Sequence, residues 1–228
     1  VFFRASDIER PVRQKLRNLE NDAQFSSGIE GSAGERRVLA FAAPLPSDLE
    51  TVIREAWERL AGASQRAVSV RSTASVEDQA SHSFAGQFTT VLNVTTFDGV
   101  VQAFKEVLAS NFNARSMVYR FHAGLPLTDF GMAVLCQLIV DAKTAGILFT
   151  SDPSGRDNDR MLVSAVAGLG SLAVGGEVPS DLYHPSRTVK EEVVPAEIAV
   201  KTWKETCLEQ GGVEKVEVTD DEREKPLL

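Results

Sequence analysis

Three places in this chain combine residue type and spacing in a way that points to chemistry. The first is V-S-V-R-S-T-A-S-V-E-D, Val68 to Asp78, which alternates apolar and polar residues up to Arg71 and then breaks into small hydroxyl residues. An arginine at the end of a strand reaches into a cleft and grips phosphate oxygens with two parallel N–H groups. The same pattern also fits a surface arginine paired with Glu77 or Asp78. The second is S-F-A-G-Q, Ser83 to Gln87, which leads into another strand-like run. Its small residues Ala85 and Gly86 let a backbone approach a ligand, and successive N–H groups can cradle phosphates; an ordinary turn before a strand reads the same way. The third is L-C-Q-L-I-V, Leu135 to Val140, where Gln137 interrupts an apolar run. A buried amide needs partners, and those are either other backbone groups or the edge of a base in a pocket.

The elements that must hold these residues are legible from periodicity. Ala67–Arg71 and Phe88–Val94 are expected as strands, with Ser72–Gly86 a long loop between them. Met132–Val140, Gly146–Thr150 and Met161–Val166 are three further strands. Before them, Ser47 and Glu50 form an S-x-x-E capping box for a helix whose stripe is Leu49, Val52, Ile53, Ala56, Trp57 and Leu60, and Gly62 ends it. A second helix begins near Asp98 and a third covers Ala114–Phe121. Arg10–Asn21 reads as a charged surface helix started by Ser6 or Asp7, and Gln24–Glu35 as a loop. Towards the end the pattern weakens: Val189–Val200 is expected as strand, Ala199–Glu209 as a short helix, Val213–Val218 as strand, and the charged run Thr219–Lys225 as a solvated tail or a helix start. Mainly adjacent strands with segregated helices imply an α+β fold.

Composition narrows the function classes. The 228 residues carry a net charge of −8, which argues against sequence-independent nucleic-acid binding, since that depends on lysine and arginine neutralising phosphates. No apolar run reaches the length needed to span a bilayer. The two cysteines, Cys136 and Cys207, lie far apart without metal spacing, so they are expected as free thiols in a reducing, cytoplasmic compartment. No signal peptide is expected, because charges interrupt the N-terminus from Arg4 onward.

Taken together, the motifs resemble the ATP-binding (PEP/pyruvate-binding, ATP-grasp) domain of the phosphoenolpyruvate synthase and pyruvate phosphate dikinase family. There the pattern runs V-R-S-S-A-T-A-E-D, then S-F-A-G-Q, then T-x-L-N-V, matching Arg71, Ser83–Gln87, Thr90 and Asn93 in order. Ala109–Arg120 is similar to a family segment ending in a tyrosine–arginine pair. Gly146–Pro153 resembles G-V-M-F-T-x-D-P, while Ala167–Gly170 and Asp181–Tyr183 resemble G-L-G-E and P-D-x-Y. The resemblance spans roughly Pro44 to Pro185.

The resemblance implies a partial ATP-grasp fold, with a mixed or antiparallel sheet and helices packed on one side. The expected organisation is a helical N-terminal segment over 1–64, an ATP-grasp nucleotide-binding region over 65–187 and a C-terminal extension over 188–228, truncated before the metal-binding end of the site. The resemblance places Arg71 on the triphosphate, Thr90 near the phosphates, and the loop of Ser83, Ala85, Gly86 and Gln87 over them. Gln137, Leu138 and Ile139 form the wall around adenine, with Ile139 against the base. No metal ligand is assigned within the chain, although ATP and Mg2+ are expected for the whole enzyme. Its phosphoryl group would pass to a histidine on a phosphohistidine domain and then to pyruvate; neither nucleic acid nor membrane is an expected partner. Departures are also visible. No glycine-rich, lysine-bearing segment precedes Arg71, no Q-S-R-P-like strand follows, and Ser171 and Ser180 replace the glutamate of G-L-G-E and the proline of P-D-x-Y. The chain alone is therefore expected to catalyse little and to bind ATP weakly. The alternatives are a degenerate, non-catalytic module that senses nucleotide or binds a protein, and the ATP domain of an antibiotic phosphotransferase. Ser81-His82 is a decoy for a phosphohistidine motif, because S-F-A-G-Q rather than a helix follows it.

Overall fold

The computed structural model describes residues 40–62, 66–74, 78–79, 82–83, 88–126, 131–153, 155, 159–188, 193 and 195–228, together with residues 14, 34, 37 and 38. The chain divides into two compact units, Val1–Ile139 and Val140–Leu228. Most of the surface helix and loop read over 10–35 lies outside the described residues; Gln14 and Gly34 are helical, the latter within the stretch read as loop.

The first unit is built on a three-stranded antiparallel sheet. Strand β1 (Val68–Ala74) is central, with β4 (Thr90–Val94) on one side and β5 (Met132–Leu138) on the other. A short hairpin of β2 (Asp78–Gln79) and β3 (His82–Ser83) lies between them in sequence. Helices α1 (Ser47–Ala61) and α2 (Phe97–Ala109) cover one face. Val68, Val70, Val94, Val100, Ala103 and Val107 form the buried cluster there, and Ile53, Trp57, Leu60, Val91, Val134, Cys136 and Leu138 pack on it. Each fully buried valine contributes about 1.5–3 kcal/mol relative to exposure. Beyond α2, Phe112 and Met117 anchor a second cluster with Ala40, Ala43, Leu108 and Ala109. Helix α3 (Ala114–His122) is capped by Asn113, whose Oδ1 accepts from the Ser116 N–H at 2.7 Å. A cavity of about 470 Å3 opens on this helical side, bordered by α1, α2 and β5, with Trp57, Phe104 and Cys136 among its walls.

Several local expectations are corrected. The Ser47–Glu50 capping box does not form. Pro46 takes the cap position, so Ser47 is already helical, and Glu50 instead pairs with Arg54 one turn on at 3.1 Å. Strand β1 runs on through Ser72, Thr73 and Ala74 because β5 pairs with it along its whole length, from Val68↔Leu138 to Ala74↔Met132. The stretch read as one long loop thus holds the end of a strand and a hairpin.

The second unit contains an antiparallel sheet in the order β6 (Thr144–Phe149), β7 (Leu162–Ala167), β8 (Asp181–Tyr183), β9 (Pro195–Glu197), and a separate hairpin of β10 (Trp203–Cys207) and β11 (Val213–Glu217). The helix expected over Ala199–Glu209 is wrong. Trp203–Cys207 pairs residue by residue with β11, and the turn closes on Gly211 and Gly212, both at positive φ. Of the strand read over Val189–Val200, Pro195–Glu197 is strand among the described residues. The glycine-rich run from Gly168 to Gly176 holds a short helix, α4 (Ser171–Gly175), that periodicity did not show.

The charged end makes one helical turn, α5 (Asp220–Arg223). Glu222 anchors it by accepting from Lys204 Nζ at 2.7 Å and from the Thr219 N–H at 3.0 Å. The Lys204 hydrogen bond, seconded by Thr219, lowers the Glu222 carboxyl to about 2. A carboxylate depressed in the folded state adds stability above its unfolded value and loses it as pH falls through the folded one. Acid titration from pH 4.5 to 2 is therefore expected to destabilise this unit, and Glu222→Gln to flatten that part of the profile. Equal slopes for the two proteins in denaturation across that range would remove the assignment.

Candidate functional site

Arg71, Thr90 and Gln137 share the face of the three-stranded sheet opposite the helices. On β1 the residues at even positions, Val68 and Val70, enter the core, so Ser69, Arg71 and Thr73 project the other way. Along β5 exposure alternates, with Ala133, Leu135 and Gln137 outward and Met132, Val134, Cys136 and Leu138 inward. Register then assembles a row: Arg71 is directly opposite Thr90 on β4 and directly opposite Leu135 on β5, with Gln137 next along beside Ser69. With neighbouring strands about 4.8 Å apart, the row is roughly 10 Å across.

Arg71 is exposed, and its Nη1 donates to Gln137 Oε1 at 3.5 Å. That contact uses the acceptor of the amide and leaves its NH2 group as a donor for a ligand. The result is a positive fork, a hydroxyl and an amide donor on one surface beside an apolar side chain, Leu135, which is 45% exposed. This arrangement suits an anion with an attached flat apolar group.

Thr90 owes its position to an irregularity in β4. Val68 pairs with Val94, but Val70 pairs with Val91, so β4 has two residues, Leu92 and Asn93, where β1 has only Ser69. Asn93 is buried and adopts φ 55, and it is the one positive-φ non-glycine among the described residues.

The other residues singled out from the sequence are placed as follows. The side chain of Leu138 packs on the core cluster, so only its main chain can border a ligand on the Arg71 face. The Ile139 N–H donates to the Ala67 carbonyl at 3.0 Å, and the residue is half-buried. Ser83 lies in β3 by its backbone, and Ala85, Gly86 and Gln87 lie outside the described residues. Leu135 was not singled out from the sequence, although the alternation of L-C-Q-L already put it on the face of Gln137. The buried Arg120 of the tyrosine–arginine pair donates to Asn111 Oδ1 at 2.7 Å, a contact within the core of its own unit. Among the described residues no three His, Cys, Asp or Glu side chains converge to hold a metal ion. The positions paired around Arg71 carry no carboxylate, so the described residues do not fit a protein-held magnesium ion.

The G-L-G and D-L-Y motifs make contacts within the second unit. Gly168, at φ 77, sits so close to β10 that a Cβ would strike the Glu205 carbonyl oxygen. The Leu169 N–H donates to that oxygen at 2.9 Å, and the Ser171 hydroxyl bonds to the Glu205 carboxylate. Ser180 bonds Ser164 across the sheet at 2.7 Å. Asp181 and Tyr183 are buried in an ion-paired knot with Lys201.

The family described as pyruvate phosphate dikinase, AMP/ATP-binding domain, matches residues 1–228, the entire chain. This chain belongs to that family. Among curated relatives, a "Probable phosphoenolpyruvate synthase" of Methanocaldococcus jannaschii is 32% identical over all of this chain and 19% of its own length. The phosphoenolpyruvate synthases of Pseudomonas aeruginosa and Deinococcus radiodurans are 34% and 32% identical, covering 86% and 98% of this chain and 25% and 29% of their own lengths. The chain thus spans less than a third of each of these relatives. The pyruvate phosphate dikinase-type AMP/ATP-binding domain is an α+β arrangement here; among the described residues the ladders between named strands are antiparallel, and Gly168 makes an isolated parallel bridge with Glu205. No helix among the described residues is long and apolar enough to cross a membrane.

Proposed function

We propose that this domain holds ATP on the sheet face carrying Arg71, Thr90 and Gln137, as the nucleotide-binding part of an ATP-dependent phosphotransferase of the phosphoenolpyruvate synthase or pyruvate phosphate dikinase type. In this reading the phosphoryl group goes to a histidine on another domain and on towards pyruvate. The observation that carries it is the register of β1 with its two neighbours, which brings a guanidinium, a hydroxyl and an amide onto one surface. Arg71 grips the β- and γ-phosphate oxygens and offsets charge as the phosphoryl group leaves. Thr90 donates to a phosphate oxygen. Gln137 and Ile139 border the base, and the S-F-A-G-Q loop, including Ser83, Ala85, Gly86 and Gln87, covers the phosphates. Magnesium would arrive with the nucleotide and neutralise phosphate charge; on this face the protein's own neutralising group is Arg71.

The test is an NMR titration of the isotopically labelled chain with ATP, which reads affinities into the millimolar range. Amide shifts are expected to move together in 69–73, 90–94 and 133–139. Thr90→Ala is expected to weaken ATP about two- to tenfold, the effect of one neutral hydrogen bond of roughly 0.5–1.5 kcal/mol. Shifts confined to other parts of the chain would overturn the placement.

A further inference from the structure

Thr90 faces Arg71 only because β4 carries one residue too many. In regular antiparallel pairing continued from Val68↔Val94, Leu92 would lie opposite Val70, Val91 opposite Arg71 and Thr90 opposite Ser72. A slip of one residue exchanges the two faces of a strand. Thr90 would then turn towards the helices, while Val91, which now packs on the core cluster, would stand beside Arg71. The extra residue between Val91 and Val94 restores the phase, so that both valines face the core although they are an odd number of residues apart. A bulge of this kind asks one residue to leave the extended region, and here Asn93 does so at φ 55. Asparagine tolerates the left-handed region where β-branched residues do not.

We infer that Asn93 is a positioning residue of the nucleotide site: its left-handed backbone supplies the bulge that presents Thr90 to the ligand held by Arg71. The inference rests on the reading of that face as the nucleotide site. Asn93 is buried at 3% exposure and acts through Thr90 rather than by touching nucleotide. Glycine, which takes the same φ freely, should replace it; valine should not.

Two readouts test this on the whole chain. ATP titration is expected to give Asn93→Gly an affinity within about twofold of the parent and Asn93→Val a loss of about fivefold or more. In a Thr90→Ala background, Asn93→Val is expected to cost less than twofold. Equal losses in both backgrounds mean general destabilisation and overturn the inference, as does unchanged affinity of Asn93→Val. The second readout is register itself. With Cys136→Ala and Cys207→Ser removing the native thiols, the pair Arg71→Cys/Thr90→Cys is expected to cross-link under mild oxidation with Asn93 or Gly at position 93. With Val, the yield should fall and Arg71→Cys/Val91→Cys should gain it. Where Val prevents folding, Asn93→Ala is read in the same assay, with a smaller shift in the same direction. Cross-linking that ignores residue 93 overturns the inference whatever ATP does. Register that follows residue 93, alongside ATP binding indifferent to Arg71→Ala and Thr90→Ala, supports the bulge and removes the nucleotide placement instead.

Discussion

Replacing Lys201 with alanine is expected to destabilise the unit Val140–Leu228 by about 3–5 kcal/mol, the cost of leaving one partner of a buried ion pair uncompensated. Lys201 Nζ lies 2.8 Å from Asp181 Oδ1, with the two side chains 2% and 0% exposed. The carboxylate does more than hold the lysine. It accepts from the Ala199 N–H at 3.0 Å and the Leu227 N–H at 3.1 Å, while the Tyr183 hydroxyl oxygen accepts from the Leu227 and Leu228 N–H groups at 3.0 Å. The D-L-Y motif therefore ties the last two residues and the segment before β10 to the sheet. Without the ammonium, the carboxylate keeps its backbone donors but faces a dry interior as a net charge. Denaturation followed by Trp203 fluorescence in a Trp57→Phe background reports this unit. The double variant Asp181→Asn/Lys201→Met is expected to recover about half of the loss or more, because both charges go together. A loss below roughly 1 kcal/mol for Lys201→Ala would show that the pair is not the anchor its burial implies.

What could be read from the sequence follows from which interactions are local. Ala67–Arg71 announces itself by alternation and Met132–Val140 by its apolar run, both properties of neighbouring residues; that run suggested a buried amide at Gln137, whereas its side chain is exposed, because the outer face of β5 is uncovered. Whether Arg71 and Gln137 share a face depends on pairing between residues more than sixty positions apart, which no local pattern records. The bulge is hidden for another reason: T-V-L-N-V reads as an ordinary strand, and only the partner's register shows that Asn93 is supernumerary. Trp203–Cys207 was taken for helix because W-K-E-T-C has neither period clearly. Its strand comes from β11 across a two-glycine turn. The division at Ile139/Val140 falls inside the continuous run L-C-Q-L-I-V, where composition does not change at all. Asp181 and Tyr183 were visible as a motif fragment, but their pairing with Lys201 and their anchoring of residues 227 and 228 are tertiary facts. By contrast, the family was legible because its motifs occur in order along the chain, and order survives where geometry cannot be inferred.

The nucleotide reading meets its strongest test at Arg71. Arg71→Ala is expected to weaken ATP by about 10- to 100-fold, equivalent to roughly 1.5–3 kcal/mol for hydrogen bonds to a charged group. AMP, which lacks the β- and γ-phosphates, should change less than about threefold. The difference between the two ligands is the informative quantity, since general loosening of the sheet would weaken both. The side chain is exposed and, among the described residues, holds a long bond to Gln137, so melting temperature should scarcely move and the loss can be attributed to the ligand contact. Arg71→Lys keeps the charge but loses the planar fork; it is expected to fall between the parent and alanine for ATP. Because the face is open to solvent, the ATP-specific loss should shrink as salt is raised from about 0.05 to 0.5 M, over which the screening length shortens from roughly 14 to 4 Å. Equal weakening of ATP and AMP, or none of either, would detach the guanidinium from the polyphosphate and leave the sheet face without its defining contact.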